Sequence, residues 1–263
     1  MIAIFGESDT LVEVTVLPVL QSYPEIEILR VPLARLTPEQ AVKEAQRLHA
    51  RPEPAFIAHA NAHTLNLAHD DPEYRGVLRR ADLVLNDGKG VMLAARIHGE
   101  RFPHDLNGNF FGPLLLKKAA QEGWLVFFLG AGPGVADRAA AALQRDIPDL
   151  QIAGTLDGYF ASDDVAIDAI KGSRADLVLV GMGNPLQERW IDRCLERTGA
   201  RLAIGVGAFF DFVTGEVPRA PAWMNRYGLE WVHRLVQEPR RMWRRYVLGN
   251  PKFVWRNLKQ RFT

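Results

Sequence analysis

The sequence predicts an α/β fold, a mostly parallel sheet with helices on both faces, plus a basic α-helical C-terminal appendage. Three observations predict it. Apolar runs of strand length alternate with longer segments of helical period. Those runs are near-continuous rather than alternating, as expected of strands buried on both faces of a parallel sheet. From Arg234 to Thr263, nine basic residues stand against one acid, Glu238, so this stretch carries about +8 in a chain of net charge +1 and leaves the rest near −7.

Taken in order, the predicted strands are Ile26 to Val31, Ala55 to His59, Leu83 to Leu85, Leu125 to Leu129, Gln151 to Thr155, Leu177 to Val180 and Leu202 to Val206. The helical patterns between them are Thr37 to Ala50, His63 to Arg80, Gly90 to Ile97, Phe111 to Glu122, Gly134 to Arg145, Asp163 to Lys171 and Gln187 to Thr198. Strands alternating with helices are βαβ units. The appendage opens near Pro218 to Gly228, which divides the chain into an α/β domain, 1–217, and a helical appendage, 218–263.

Pro239 suits the first turn of a helix, and Gly249-Asn250-Pro251 reads as its stop. Helical spacing puts Arg240, Arg241, Arg244 and Arg245 on one face, with Met242, Trp243, Tyr246 and Val247 largely on the other. Beyond the stop, Lys252, Arg256 and Lys259 recur beside Phe253, Val254, Leu258 and Phe262. Two short basic amphipathic helices in series read as an element for a membrane surface or another polyanion. The alternative is a solvated arginine face whose apolar side packs on the body.

At 263 residues and 48% hydrophobic content, the chain can bury a substantial core. Its apolar runs fall well short of the roughly 18 to 20 residues of a membrane span. The single cysteine, Cys194, excludes an intrachain disulfide framework and any Cys-cluster metal site, and reads as a small buried apolar residue. Met1 to Glu7 lacks the charged and apolar regions of an export signal, so the cytoplasm is expected.

In open α/β sheets, ligands sit outside the carboxyl ends of the strands. Five predicted strands are followed by polar, mostly glycine-rich segments: Asn61-Ala62-His63-Thr64, Asn86-Asp87-Gly88-Lys89-Gly90, Gly130-Ala131-Gly132-Pro133-Gly134, Gly181-Met182-Gly183-Asn184-Pro185-Leu186-Gln187-Glu188 and Gly205-Val206-Gly207-Ala208-Phe209-Phe210-Asp211. The Gly130, Gly132 and Gly134 spacing suits either a phosphate loop or a tight strand-to-helix turn. It is not the dinucleotide fingerprint, which disfavours a nicotinamide-dependent oxidoreductase. Asp87 is a candidate carboxylate in what is otherwise an Asp-Gly turn; Asn61 and His63 are polar site groups or helix-start residues. No Asp-x-Asp, His-Glu-x-x-His or nucleophile-elbow pattern occurs, leaving metal and acyl chemistry unsupported.

As an ordered series, these segments resemble the WecG/TagA/CpsF glycosyltransferases, family 26 of the sequence-based classification. The match extends from about Val31 to Pro251 and takes in Ala81 to Gly88, Val180 to Trp190, Arg219-Ala220-Pro221, Gly228-Leu229-Glu230-Trp231 and Glu238-Pro239-Arg240-Arg241. The resemblance implies an inverting, metal-independent transfer, without cofactor, from a UDP-sugar to a sugar on polyprenyl diphosphate at the inner face of the membrane, in cell-envelope or exopolysaccharide synthesis. It implies Asp87 as general base. The expected substrate-binding residues are Asn61, His63, Asn107, Gly130, Gly132, Asn184, Gln187, Asp211, Arg234, Arg241 and Arg244. His59 stands where some members have threonine, and Asp105-Leu106-Asn107 where some have an arginine. The rival from another class is a non-enzymatic nucleic-acid-binding protein using the basic tail, in place of the expected absence of nucleic acid. The sequence leaves donor and acceptor identity open, and a homo-oligomer too.

Overall fold

Successive side chains of a strand point to opposite faces, and in the main sheet both faces are apolar. Ile57, Leu85, Val126, Phe128, Leu179 and Ile204 pack on one side; Phe56, Ala58, Val84, Phe127, Val178 and Ala203 pack on the other. The computed structural model describes residues 23–218, 220–221, 224 and 230–262, without the side chains of Glu230 and Arg241. The Met1 to Glu7 segment, Arg219 and Gly228-Leu229, which entered the sequence reading, lie outside the described residues, as does the side chain of Arg241.

The main sheet has six parallel strands: β3 (Ala55–Ala60), β4 (Leu83–Asn86), β5 (Leu125–Gly130), β6 (Gln151–Leu156), β7 (Leu177–Gly181) and β8 (Leu202–Gly205). Their order is β4-β3-β8-β7-β5-β6. The chain builds outward from β3 to β4, crosses to β5 and β6, then returns through β7 to β8, which lies beside β3. That reversal opens a crevice at the carboxyl ends of β3 and β8, the place where such sheets bind ligands.

One face of the sheet carries α1 (Pro38–His49), α5 (Gly108–Glu122), α6 (Val135–Asp146) and α9 (Phe209–Thr214). The other carries α2 (Ala62–Asp70), α3 (Pro72–Arg80), α4 (Lys89–Ile97), α7 (Asp163–Ser173) and α8 (Leu186–Thr198). Cys194 is buried among the apolar residues of this second face, as read from sequence.

Three expectations need correction. Ile26 to Val31 is not one strand of the sheet but a separate antiparallel hairpin, β1 (Glu25–Ile28) and β2 (Val31–Ala34), turned at Leu29 and Arg30. Both turn residues have positive φ, 50° and 67°, the backbone that matches a two-residue turn to strand twist, though neither is a glycine or asparagine. The His63 to Arg80 pattern is two helices, because Asp71 leaves the helical backbone to cap α3, accepting the Tyr74 N–H at 3.0 Å, and Pro72 opens α3.

The third correction is to the C-terminal stop. After α10 (Glu230–Gln237) and α11 (Pro239–Trp243), a π-helical turn (Arg244–Leu248) leads straight into α12 (Gly249–Phe262). Gly249 is itself helical, with φ −69° and ψ −41°. Pro251 falls in the first turn of α12, where a missing N–H costs little, and the widened turn before it separates its ring from the preceding carbonyls. Met242 is buried, while Trp243 and Val247 are exposed.

The arm is sewn to the second face of the sheet. Phe253 enters the core, and the guanidinium of Arg256 donates to Asn66 O (3.1 Å), Asn66 Oδ1 (3.0 Å) and Asp70. Lys252 reaches Asp70 at 3.0 Å, Asn257 pairs with His98 at 3.0 Å, and Gln260 Oε1 accepts the Leu29 N–H of the hairpin turn at 2.9 Å. Among the described residues, no helix is long and apolar enough to cross a membrane.

Gly130 shows how tightly the sheet is drawn at its carboxyl edge. Its φ is +127°, and a Cβ there would lie 2.4 Å from the carbonyl oxygen of Gly181 on β7. Backbone cannot yield as a flexible side chain would, so Gly130→Ala is expected to cost on the order of 2 to 4 kcal/mol, read as a lowered midpoint in urea denaturation.

Candidate active site

The crevice at the strand ends is a cleft of about 800 Å³. Its floor comes from the loops after β3, β4, β7 and β8; one wall comes from residues 104–110 and another from the C-terminal arm.

Asp87 follows β4, its N–H bonded to Ala60 O at 3.0 Å. Asn61 orients its carboxylate by donating Nδ2 to Asp87 Oδ2 at 3.0 Å. The Asn61 Oδ1 meanwhile caps α2, accepting the N–H groups of His63 (3.0 Å) and Thr64 (3.1 Å). One carboxamide thus ties a helix start to the candidate base. Among the described residues, Asp87 Oδ1 receives no hydrogen bond, and Asp87 lines the cleft.

The 104–107 segment is laced to the Asp87 loop. Asn86 Nδ2 donates to His104 O (2.9 Å), and the Gly88 N–H donates to Asp105 Oδ1 (2.8 Å). Burial, and then the charge of Asp87, pushes the Asp105 carboxyl above its usual range. Asn107 caps α5 through Phe110 N–H at 3.1 Å.

His59 lies beneath the cleft. Its Nδ1 is 2.9 Å from Gly205 O; a carbonyl only accepts, so Nδ1 carries the proton and Nε2 is left buried without a hydrogen-bond partner. Burial holds this imidazole neutral against the pull of Asp87.

The arm supplies cations. Arg234, Arg244 and Arg245 line the cleft with Trp231, Met242 and Tyr246. The Arg234 guanidinium sits over the Phe212 ring, 5.3 Å from its centroid, which fixes it in place. Lys89 adds a further cation from the start of α4. One cleft therefore holds two carboxylates near β4 and a cluster of guanidinium groups on the arm.

Of the residues singled out from sequence, Asn61, His63, Asp87, Asn107, Asn184, Gln187, Arg234 and Arg244 come together in this cleft. Gly130 and Gly132 sit in the loop after β5, outside its lining, and Asp211 lies in the first turn of α9, also outside. Sequence reasoning had not singled out Lys89, His104 or Asp105 as site residues, and had read Arg245 only as one basic residue of the tail. The departure at Asp105-Leu106-Asn107 was the one signal of that wall.

A model of the "Glycosyl transferase WecG/TagA/CpsF family" matches residues 26–263. The chain belongs to this family of glycosyltransferases, which sets aside the oxidoreductase and non-enzymatic readings. Two relatives carry the name N-acetylglucosaminyldiphosphoundecaprenol N-acetyl-beta-D-mannosaminyltransferase. The protein of Bacillus spizizenii is 38% identical over 205 residues, 78% of this chain and 79% of its own length. That of Bacillus subtilis is 32% identical over 206 residues, 78% and 80% of the two chains.

His63 offers a direct reading of the cleft's electrostatics. Burial, with the positive charge of Arg245 behind it, lowers its pKa to about 4. Between pH 6.5 and 4 the unfolded chain binds a proton that the folded chain refuses, so this group makes the fold less stable as pH falls through that window. An NMR titration of the His63 ring is expected to show its protonation step near pH 4; a step near the ordinary histidine value would contradict this placement.

Proposed function

We propose that this enzyme transfers an N-acetylated aminosugar, of the N-acetylmannosamine kind, from a UDP-sugar to a sugar carried on polyprenyl diphosphate. The transfer inverts the anomeric carbon and serves cell-envelope or exopolysaccharide synthesis. One observation carries the reading: a carboxylate oriented by Asn61 shares a cleft with Arg234, Arg244 and Arg245. The relatives' names supply the sugar classes, an N-acetylmannosaminyl group and an N-acetylglucosaminyl diphosphoundecaprenol acceptor.

In this scheme the acceptor hydroxyl oxygen attacks the anomeric carbon opposite the UDP. Its proton passes to Asp87 Oδ1, and the bond to the phosphate oxygen breaks with its electron pair leaving on UDP. The charge that develops on the departing diphosphate is offset by Arg234, Arg244, Arg245 and Lys89, which line the same cleft. Among the described residues, no three His, Cys, Asp or Glu side chains gather as they would around a metal. In the proposed scheme the guanidinium groups take the charge-offsetting role.

The acceptor's lipid tail calls for a surface. The arm exposes Trp243, Val247, Leu248, Trp255, Leu258 and Phe262, with Trp255 61% and Phe262 81% accessible. The exposed basic residues Arg240, Arg244, Lys252, Lys259 and Arg261 stand among them. Apolar and cationic groups side by side suit the headgroup region of an anionic membrane. The arm is thus proposed to hold the enzyme peripherally on the inner face of the cell membrane.

Asp87→Asn is expected to lower turnover about 10²- to 10⁴-fold, the usual contribution of positioned proton transfer, with an unchanged melting temperature. UDP release with UDP-N-acetylmannosamine and an N-acetylglucosaminyl polyprenyl diphosphate measures it. Near-normal turnover in the folded variant would remove Asp87 from the role of base.

Replacing Arg240 and Lys259 by alanine is expected to weaken binding to phosphatidylserine vesicles by about 2 kcal/mol, about 1 kcal/mol for each charge. Co-sedimentation at low and high salt checks it. A loss that persists unchanged in high salt would point away from electrostatic docking.

A further inference from the structure

Glu188 is completely buried in the first turn of α8, and the chemistry proposed above makes no use of it. Its Oε1 accepts from Asn184 Nδ2 and Gln187 Nε2, each at 2.6 Å, and its Oε2 accepts from the Tyr74 hydroxyl on α3 at 3.0 Å. Burial pushes this carboxyl up while the three donors pull it back. Burying a carboxylate is costly, and three donors on one group indicate that its orientation matters.

What the carboxylate orients can be followed atom by atom. Gln187 Oε1 receives the backbone N–H groups of Gly183 (3.1 Å) and Gly207 (3.0 Å), fastening the loops after β7 and β8 to each other. Turning that amide over would set its NH₂ against two N–H groups, so Nε2 must face Glu188. The fit is close, since a Cβ on Gly205 would lie 2.7 Å from Gln187 Nε2. The same carboxylate oxygen holds Asn184 Nδ2. That leaves Asn184 Oδ1, which receives no hydrogen bond among the described residues, to serve a cleft that Asn184 lines.

We infer that Glu188 is a positioning residue that sets the hydrogen-bond polarity of the cleft floor. Through Asn184 it presents an acceptor oxygen, which selects a hydrogen-bond donor of the bound nucleotide sugar and disfavours a phosphate oxygen. The donor is a ribose hydroxyl, or a hydroxyl or acetamido N–H of the transferred sugar. The inference rests on the UDP-sugar reading of the cleft.

Calorimetry on the full chain, with UDP and with UDP-N-acetylmannosamine as probes, tests it. Asn184→Ala and Glu188→Met are each expected to lose about tenfold in affinity, roughly the worth of one hydrogen bond. Glu188→Gln, whose amide oxygen replaces Oε1 and whose NH₂ faces Tyr74 Oη, is expected to stay within about threefold. The double variant Asn184→Ala/Glu188→Met should be no worse than either single one, because both remove the same contact.

A loss already seen with UDP assigns the ribose, and a loss confined to the nucleotide sugar assigns the transferred sugar; both support the inference. Unchanged affinity for both probes with a shifted melting temperature overturns it, as do additive losses in the double variant. If Glu188→Met fails to fold, Asn184→Ala decides alone: unchanged affinity overturns the inference. A wild-type chain that binds neither probe overturns the donor reading, and this inference with it.

Discussion

One buried guanidinium holds the architecture of the cleft in place. Arg256 enters the second face of the sheet and is met there by the carbonyl and carboxamide oxygens of Asn66 and the carboxylate of Asp70, all on α2. A charge so placed is tolerable because several acceptors share it, the half-exposed carboxylate of Asp70 among them. The same helix that presents these partners begins at Asn61, whose carboxamide aims Asp87. The anchoring of the arm and the aiming of the candidate base are therefore two ends of one nine-residue helix. Any shift of α2 moves both the cations and the carboxylate they oppose.

That coupling explains why the cleft is built from distant pieces of chain. Opposite charges carried on one short loop tend to pair with each other, so a carboxylate and a cluster of phosphate-binding guanidinium groups stay separate more readily when they come from distant pieces of chain. Here Asp87 and Asp105 lie on the β4 side of the sheet, with Lys89 near them, and the guanidinium groups of Arg234, Arg244 and Arg245 come from the arm.

Much of the sheet was legible in the sequence because strands buried on both faces have little choice of residue. Leu177 to Val180 and Leu202 to Val206 could hardly be anything else. The hairpin was not, since Leu29-Arg30 carries none of the usual turn residues and takes its positive φ from tertiary contact, including the Gln260 bond across 231 residues. Gly249-Asn250-Pro251 looked like a stop because the local signal for ending a helix and the one for opening a new turn are nearly the same. The cleft was legible where a residue directly follows a strand, as with Asp87 and Asn184. Asp105 and Arg245 join it only through folding. Glycines misled for a related reason: Gly130 reads alike whether its bare Cα serves a ligand or, as its contact with Gly181 shows, the neighbouring strand.

The order in which the chain is synthesised gives the arm a further meaning. Domains form from the amino end as they emerge, so the sheet can assemble before the arm has left the ribosome. Arg234, Arg244 and Arg245 reach the cleft, and Gln260 closes the hairpin turn, only once the final helix is free to dock. Until then the cleft holds Asp87, Asp105 and Lys89 without the guanidinium groups of the arm. The arm therefore sets when the cleft acquires most of its positive charge, after the sheet beneath it is in place.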